Sequence, residues 1–166
     1  MSRDGFVSFF HHRYSKTVVL LIAMGGSRAD AEDAAQEAMI AAWQQWESIR
    51  EPIAWVRTTA TRKFWKHSHQ HPLTSPLDQT TPQRAGSDPD LVIFAEEQRR
   101  VLSLLRRLPA AQRVITALYY DGLPVEEIAK VIDKPAATVR SHLRHARKTL
   151  KEVITSDPPR PPTPDP

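Results

Sequence analysis

The sequence predicts an all-α protein: two small helical domains joined by a flexible linker. Three observations carry this. Apolar residues recur every three or four positions through two long stretches, the spacing of helix faces buried on one side. No stretch alternates apolar and polar residues as a half-exposed strand does. Between the two stretches, residues 68–90 hold Pro72, Pro76, Pro82, Pro89 and Gly86 among many Ser, Thr and Gln, with no periodic apolar face to bury. The expected division is a first domain at residues 4–67, a linker at 68–90, a second domain at 91–154 and a disordered Pro-rich tail at 155–166.

In the first stretch Phe6, Phe10, Tyr14, Val18 and Leu21 form one helical stripe. Gly25 and Gly26 stop that helix, and Ser27 or Asp30 caps the next. Ala35, Met39, Ala42, Trp43 and Trp46 mark the buried face of a second helix that runs to about residue 46. A break follows at residues 48–51, and Pro52 suits the first turn of a third helix. Ile53, Val56, Ala60 and Phe64 mark its apolar face. Periodicity resumes at Leu91 and continues to about Ile154 in four helices. Pro109 and Pro124 each stand where a helix begins, and Asp121-Gly122 ends the helix before Pro124.

The composition is that of a globular chain: 166 residues, 40% hydrophobic and 25% charged. Aromatic residues are only 7%, so each half alone buries limited surface. There is no cysteine, which excludes disulfides and thiolate metal sites and fits a reducing interior. The longest apolar run, residues 18–24, is far shorter than the roughly 20 residues that span a bilayer. The N-terminus has no signal-peptide plan. The reading is a soluble, cytoplasmic protein with no membrane insertion. His67, His69 and His71 alternate in a segment without nearby carboxylates, which makes no tetrahedral set, so no metal is expected. No Ser-His-acid set, Gly-rich phosphate loop or catalytic carboxylate pair stands out, so neither catalysis nor a cofactor is expected.

The net charge of +4 permits a polyanionic partner, and its distribution says more. From Ala29 to Glu47 there are five acidic residues and no basic one. From Trp55 to His71 there are four Lys or Arg, three His and no acid. From Lys134 to Lys151 there are six Lys or Arg and no acid.

The stretch LPVEEIAKVIDKPAATVRSHLRHARKTLK, residues 123–151, reads as two helices and a tight turn. Val139, Leu143, Ala146 and Leu150 share a face that can pack on Ile128, Val131 and Ile132. Arg140, Arg144, Arg147 and Lys151 repeat the same spacing one residue on, a cationic stripe suited to phosphates. Ala136, Ala137, Thr138, Arg140 and Ser141 lie where a recognition helix reaches base edges, with Lys148 further along.

Residues 105–150 resemble region four of bacterial sigma factors of the extracytoplasmic-function class. The resemblance rests on Leu108-Pro109, Arg113, Tyr119-Tyr120, Glu127-Ile128-Ala129, Thr138-Val139 and His145-Ala146-Arg147. Two positions depart from the family pattern: Asp133 stands where glycine is usual at the turn, and Ala137 where glycine usually precedes Thr-Val. Aspartate tolerates a left-handed backbone better than most residues, so the turn can survive. Residues 29–46 resemble region two of the same family through Ala31-Glu32-Asp33, Gln36-Glu37 and a following aromatic. Trp55-Val56-Arg57-Thr58-Thr59-Ala60 is similar to its Trp-Leu-x-x-Ile-Ala segment, with Arg62 in place of a usual asparagine.

The resemblance implies a promoter-specificity subunit with no catalytic chemistry of its own. Its partners would be promoter DNA, core RNA polymerase (the largest-subunit coiled coil and the flap region) and an anti-sigma factor. Asp33, Gln36 and Glu37 would dock on the coiled coil. Arg50, Thr58, Thr59, Arg62, Lys63, Trp65 and Lys66 would meet the minus-ten element, with a flipped base held by the loop at 48–51. Trp65, between Lys63 and Lys66, is open to DNA contact or to packing, while Trp43, Trp46 and Trp55 belong to the core. Ala136, Ala137, Thr138, Arg140, Ser141, Arg144, Arg147 and Lys148 would meet the minus-thirty-five element. Two rivals stand beside this reading. One is a helix-turn-helix regulator with an N-terminal sensor or dimerisation domain. The other is an enzyme acting on nucleic acid, against which the missing acid-base constellation counts.

Overall fold

The structure, a computed structural model, describes residues 3–68 and 96–156. They form seven α-helices and one 3-10 turn: α1 (Arg3–Ala23), α2 (Arg28–Gln44), the turn Trp46–Ser48, α3 (Pro52–Ser68), α4 (Glu96–Leu105), α5 (Ala110–Tyr120), α6 (Val125–Ile132) and α7 (Ala136–Ser156). No strand occurs among the described residues. The expected linker, apart from Ser68, lies outside them, as do His69, His71 and residues 157–166 of the expected tail. Helix α7 continues through Thr155 and Ser156, whose hydroxyls donate to the carbonyls of Lys151 and Glu152 one turn back.

Local chemistry sets the helix ends. Ser27 caps α2: its Oγ accepts from the Asp30 amide at 3.1 Å and donates to the Asp30 carboxylate at 2.8 Å. Three other ends close by one motif, in which the amide just after a left-handed residue reaches back to the carbonyl five residues earlier. Gly26 reaches Leu21, Leu123 reaches Leu118 and Lys134 reaches Ala129, each at 3.0 Å. The motif needs a left-handed residue in between. Gly25 (φ 109°) and Gly122 (φ 102°) supply it twice, and Asp133 (φ 54°, ψ 51°) supplies it at the helix-turn-helix. The turn therefore keeps its shape without glycine.

The first half is a three-helix unit. Its closeness comes from α2, whose inner positions Ala31, Ala34, Ala35, Ala38 and Ala42 are all fully buried methyls. Small side chains at the contact let helix axes approach. In the second half, Ile128, Val131 and Ile132 of α6 are buried, as are Val139, Leu143 and Ala146 of α7. Leu150 is only partly buried. Arg113 lies within this half almost completely shielded, donating to the Leu105 carbonyl at 3.3 Å and the Leu108 carbonyl at 3.0 Å. Burial pushes its guanidinium below the usual arginine range. It ties together the last carbonyl of α4 and a carbonyl of the turn that leads to α5.

The two halves do not stand apart. Helix α1 packs against α4 and α5, and α3 meets α6. A single apolar cluster runs from Val18, Leu21 and Met24 through Leu102, Ile115 and Leu118 to Ile128 and Leu143. The sequence stripe treats α1 as buried on one side. The structure buries Leu20, Leu21, Ile22 and Met24 together, so α1 needs cover from more sides than α2 and α3 provide. Two further expectations are corrected. Trp43 is 40% exposed and Ile53 42% exposed, both at the margin of the faces assigned to them.

Asp133→Gly should stabilise the fold by about 1 kcal/mol, since it removes the left-handed penalty of a side chain. Asp133→Val should destabilise it by more than about 1 kcal/mol. Urea-unfolding midpoints of the three proteins check the order.

Candidate nucleic-acid interface

The basic stripe of α7 faces outward as expected: Arg140, Arg144, Arg147, Lys148 and Lys151 are all exposed. Two members already have partners within the chain. Arg140 pairs with Glu126 of α6 at 2.8 Å. Arg147 lies over the Tyr119 ring, 5.5 Å from its centroid, and the hydrogen bond it donates to the Tyr120 oxygen raises its pKa. Both pairs are open to water, where such contacts are weak and readily given up. Arg144, Lys148 and Lys151 form no ion pair among the described residues.

The first turns of α7 face a different environment. Thr138 and Ser141, with His142 and His145, line a cavity of about 350 Å³ whose other wall is Pro109, Ala111 and Gln112 at the start of α5. Ala137 is exposed and Ala136 half-buried. Short hydroxyls and two imidazoles thus line one wall of that cavity, and both residue types can exchange hydrogen bonds with a polar ligand. His142 is held neutral more easily than a free histidine, first because it is half-buried and then because His145 is beside it.

On the first half, α2 presents Asp33 and Gln36 to solvent. Glu37 is engaged: it accepts from Lys63 Nζ at 3.2 Å and from His67 Nε2 at 2.6 Å, both on α3. The Lys63 contact, with His67 behind it, holds the Glu37 carboxyl below the usual range. A residue expected to dock protein and one expected to touch DNA are therefore each other's partners. Arg62 and Lys66 are exposed and Thr58 and Thr59 half-buried. Arg50, Thr58, Thr59 and Arg62 share a cavity of about 390 Å³ with the loop residues Ser48, Ile49 and Glu51 and with Glu127 of α6.

Trp65 is the clear correction at this site. It is only 7% exposed and belongs to the core, so it has no face left for DNA. It stands one turn after Thr61, which is also fully buried, so the inner stripe of α3 is two residues wide. Sequence reading missed a second group altogether. Arg57 and Arg13 meet Asp121 of the other half across separations that no local pattern encodes. The alternating histidines beyond His67 lie outside the described residues. No cluster of His, Asp or Glu able to hold a metal occurs among the described residues, and no helix among them is long and apolar enough to cross a membrane.

Comparison with known proteins places these faces in context. A model described as "Sigma-70 region 2" matches residues 10–70, and one described as "Sigma-70, region 4" matches residues 98–150. The chain is 32% identical over 152 residues to the probable RNA polymerase sigma factor RfaY of Xanthomonas campestris pv. campestris, covering 84% of this chain and 38% of that one. It is 27% identical over 158 residues to the ECF RNA polymerase sigma-E factor of Escherichia coli K12, covering 86% and 83%. Among solved structures, the sigma factor RpoE in complex with the anti-sigma factor NepR from Bartonella quintana aligns at a TM-score of 0.64 and 20% identity, over 92% of this chain and 98% of that one. That likeness is one of fold.

The lowered pKa of His142 sets a pH dependence. Its unfolded form binds protons more readily, so the stability it contributes is complete above the free-histidine pKa of about 6.5 and is lost as pH falls through the lower folded value. Melting temperatures from pH 7.5 to 5 should fall more for the natural protein than for His142→Gln; parallel curves would remove His142 from the account.

Proposed function

Since the chain belongs to the sigma-70 family, in its extracytoplasmic-function class, we infer that it is an alternative sigma factor that directs core RNA polymerase to specific promoters. The observation that carries this is the ordered pair: region two at residues 10–70 and region four at 98–150, each bearing the charge its role requires. The outward Arg and Lys of α7 suit the minus-thirty-five element, with Thr138, Arg140 and Ser141 nearest the base edges. Asp33 and Gln36 suit a basic coiled coil of the polymerase, and the absence of cations along α2 after Arg28 favours that meeting. Arg50, Thr58, Thr59, Arg62 and Lys66 border the loop cavity where an unstacked base of the minus-ten element would lie. The region-two match disfavours the rival in which the first half is a sensor of an operator-binding regulator.

On this reading the protein acts by binding and distorting DNA, not by catalysis, and works in the cytoplasm. The flap region of the polymerase would receive the second half. An anti-sigma factor is a fitting further partner, since one solved relative in fold is a sigma factor held by NepR.

Run-off transcription with core polymerase tests the whole reading: a promoter-specific transcript is expected, and its absence would reject it. Arg140→Ala should weaken upstream-element binding by about 1–3 kcal/mol and relax base preference there. Equal loss on every sequence would reduce Arg140 to a phosphate contact. Asp33→Lys should lower co-purification with core polymerase; unchanged recovery would move the docking face elsewhere.

A further inference from the structure

Two arginines of the first half converge on one carboxylate of the second. Arg57 of α3 donates through Nε to the Asp121 carboxylate and through a terminal nitrogen to the Asp121 carbonyl. Arg13 of α1 brings its guanidinium to 3.5 Å from the same carboxylate oxygen. All three side chains are more than three-quarters shielded from water. Asp121 caps the end of α5, so its carbonyl also carries the negative end of a helix dipole. Gly122 leaves room for the approach: a Cβ there would stand 3.3 Å from the Arg57 guanidinium.

Without Asp121 this would be an unstable arrangement. Burial pulls the Arg13 pKa down, Asp121 offsets part of that, and the neighbouring Arg57 charge adds to the fall, so the guanidinium stays below its usual range even with its partner. The pair therefore demands an anion. Two guanidiniums facing a carboxylate and a carbonyl oxygen also present the donor set that the non-bridging oxygens of a phosphodiester accept from. Arg57 lies on the same helix as Thr58, Thr59 and Arg62.

Resting on the promoter reading above, we propose that Arg13 and Arg57 form an anion site with two alternative occupants. One is Asp121 of the chain's own second half; the other is a backbone phosphate of promoter DNA lying along α3. Occupation by Asp121 holds the two halves together, and occupation by phosphate requires them to part. A second contact acts in the same sense, because Glu127 of α6 walls the cavity that Arg50, Thr58, Thr59 and Arg62 line. Geometry requires the parting. Asp121 stands where the phosphate would, so the end of α5 must move off α1 and α3 before DNA can take its place.

The chain has no cysteine, so Gln44→Cys and Glu152→Cys, both at exposed positions, can carry a fluorescence-transfer pair on the full-length protein. Asp121→Asn should lower transfer and tighten binding of a labelled single strand of about 20 mixed-sequence nucleotides several-fold. Arg57→Gln should also lower transfer, yet weaken binding and reduce the salt slope by about 0.7, the share of one phosphate. Arg57→Gln should keep the helical circular-dichroism signal and melting transition of the natural chain, which separates it from a variant that merely misfolds. Unchanged transfer in Asp121→Asn, or an unchanged salt slope in Arg57→Gln, overturns the proposal whatever the transcription assay gives. A natural chain without a promoter-specific transcript overturns the promoter reading whatever the slopes give.

Discussion

The last turns of α1 are enclosed on nearly every side. Leu20, Leu21, Ile22 and Met24 all lose their water, and positions 20–22 point in three directions around a helix. Helices α2 and α3 cover part of that circumference, and α4 and α5 take the rest. Once α1 is shared, both halves contribute to one apolar cluster. The chain must then leave α1 abruptly, because α2 has to return along its side. Gly25 makes the left-handed turn, and Gly26 fits where a Cβ would lie 2.7 Å from the Phe64 ring. The buried Arg113 guanidinium crowds the same corner, 2.8 Å from where a Gly25 Cβ would be. The constraint at one helix end thus fixes the path of α2 and the seat of α5.

The cations of the surface fall into two energetic classes. Arg140 with Glu126, Arg147 over Tyr119 and Lys63 with Glu37 are exposed contacts that water and salt screen, each contributing little. Each keeps a long side chain in one direction at small cost to release. Arg57 with Asp121 is different, being shielded and doubly bonded, so separating it leaves unpaired charge in a partly dry place. Exposed pairs tune contacts one residue at a time, while the shielded one couples to the arrangement of whole helices.

Much of this was legible beforehand. Seven helices follow from apolar spacing, their starts from Ser27, Pro52, Pro109 and Pro124, and one left-handed turn from the tolerance of aspartate at 133. The outward stripe of α7 was legible because Arg140, Arg144 and Arg147 keep step with Val139, Leu143 and Ala146. The union of the halves was not drawn from the sequence, although residues 18–24 held a trace of it: a continuous apolar run marks a helix buried all round as well as a membrane span too short to be one. Trp65 was open to two roles because flanking lysines say what surrounds a residue in sequence and not which way it points. Arg13, Arg57 and Asp121 belong to no periodicity, since ion pairs between distant segments depend on tertiary placement alone.

The alanine-lined inner face of α2 has a further consequence. Alanine forms helix more readily than any other residue, and Ser27 supplies the cap without help from elsewhere. Segments with local contacts order fastest, while those that need distant partners wait for loop closure. Helix α2 has both of these local supports, an alanine-rich sequence and its own cap. The face that carries Asp33 and Gln36 therefore depends less on distant partners for its local shape than any other segment of the first half.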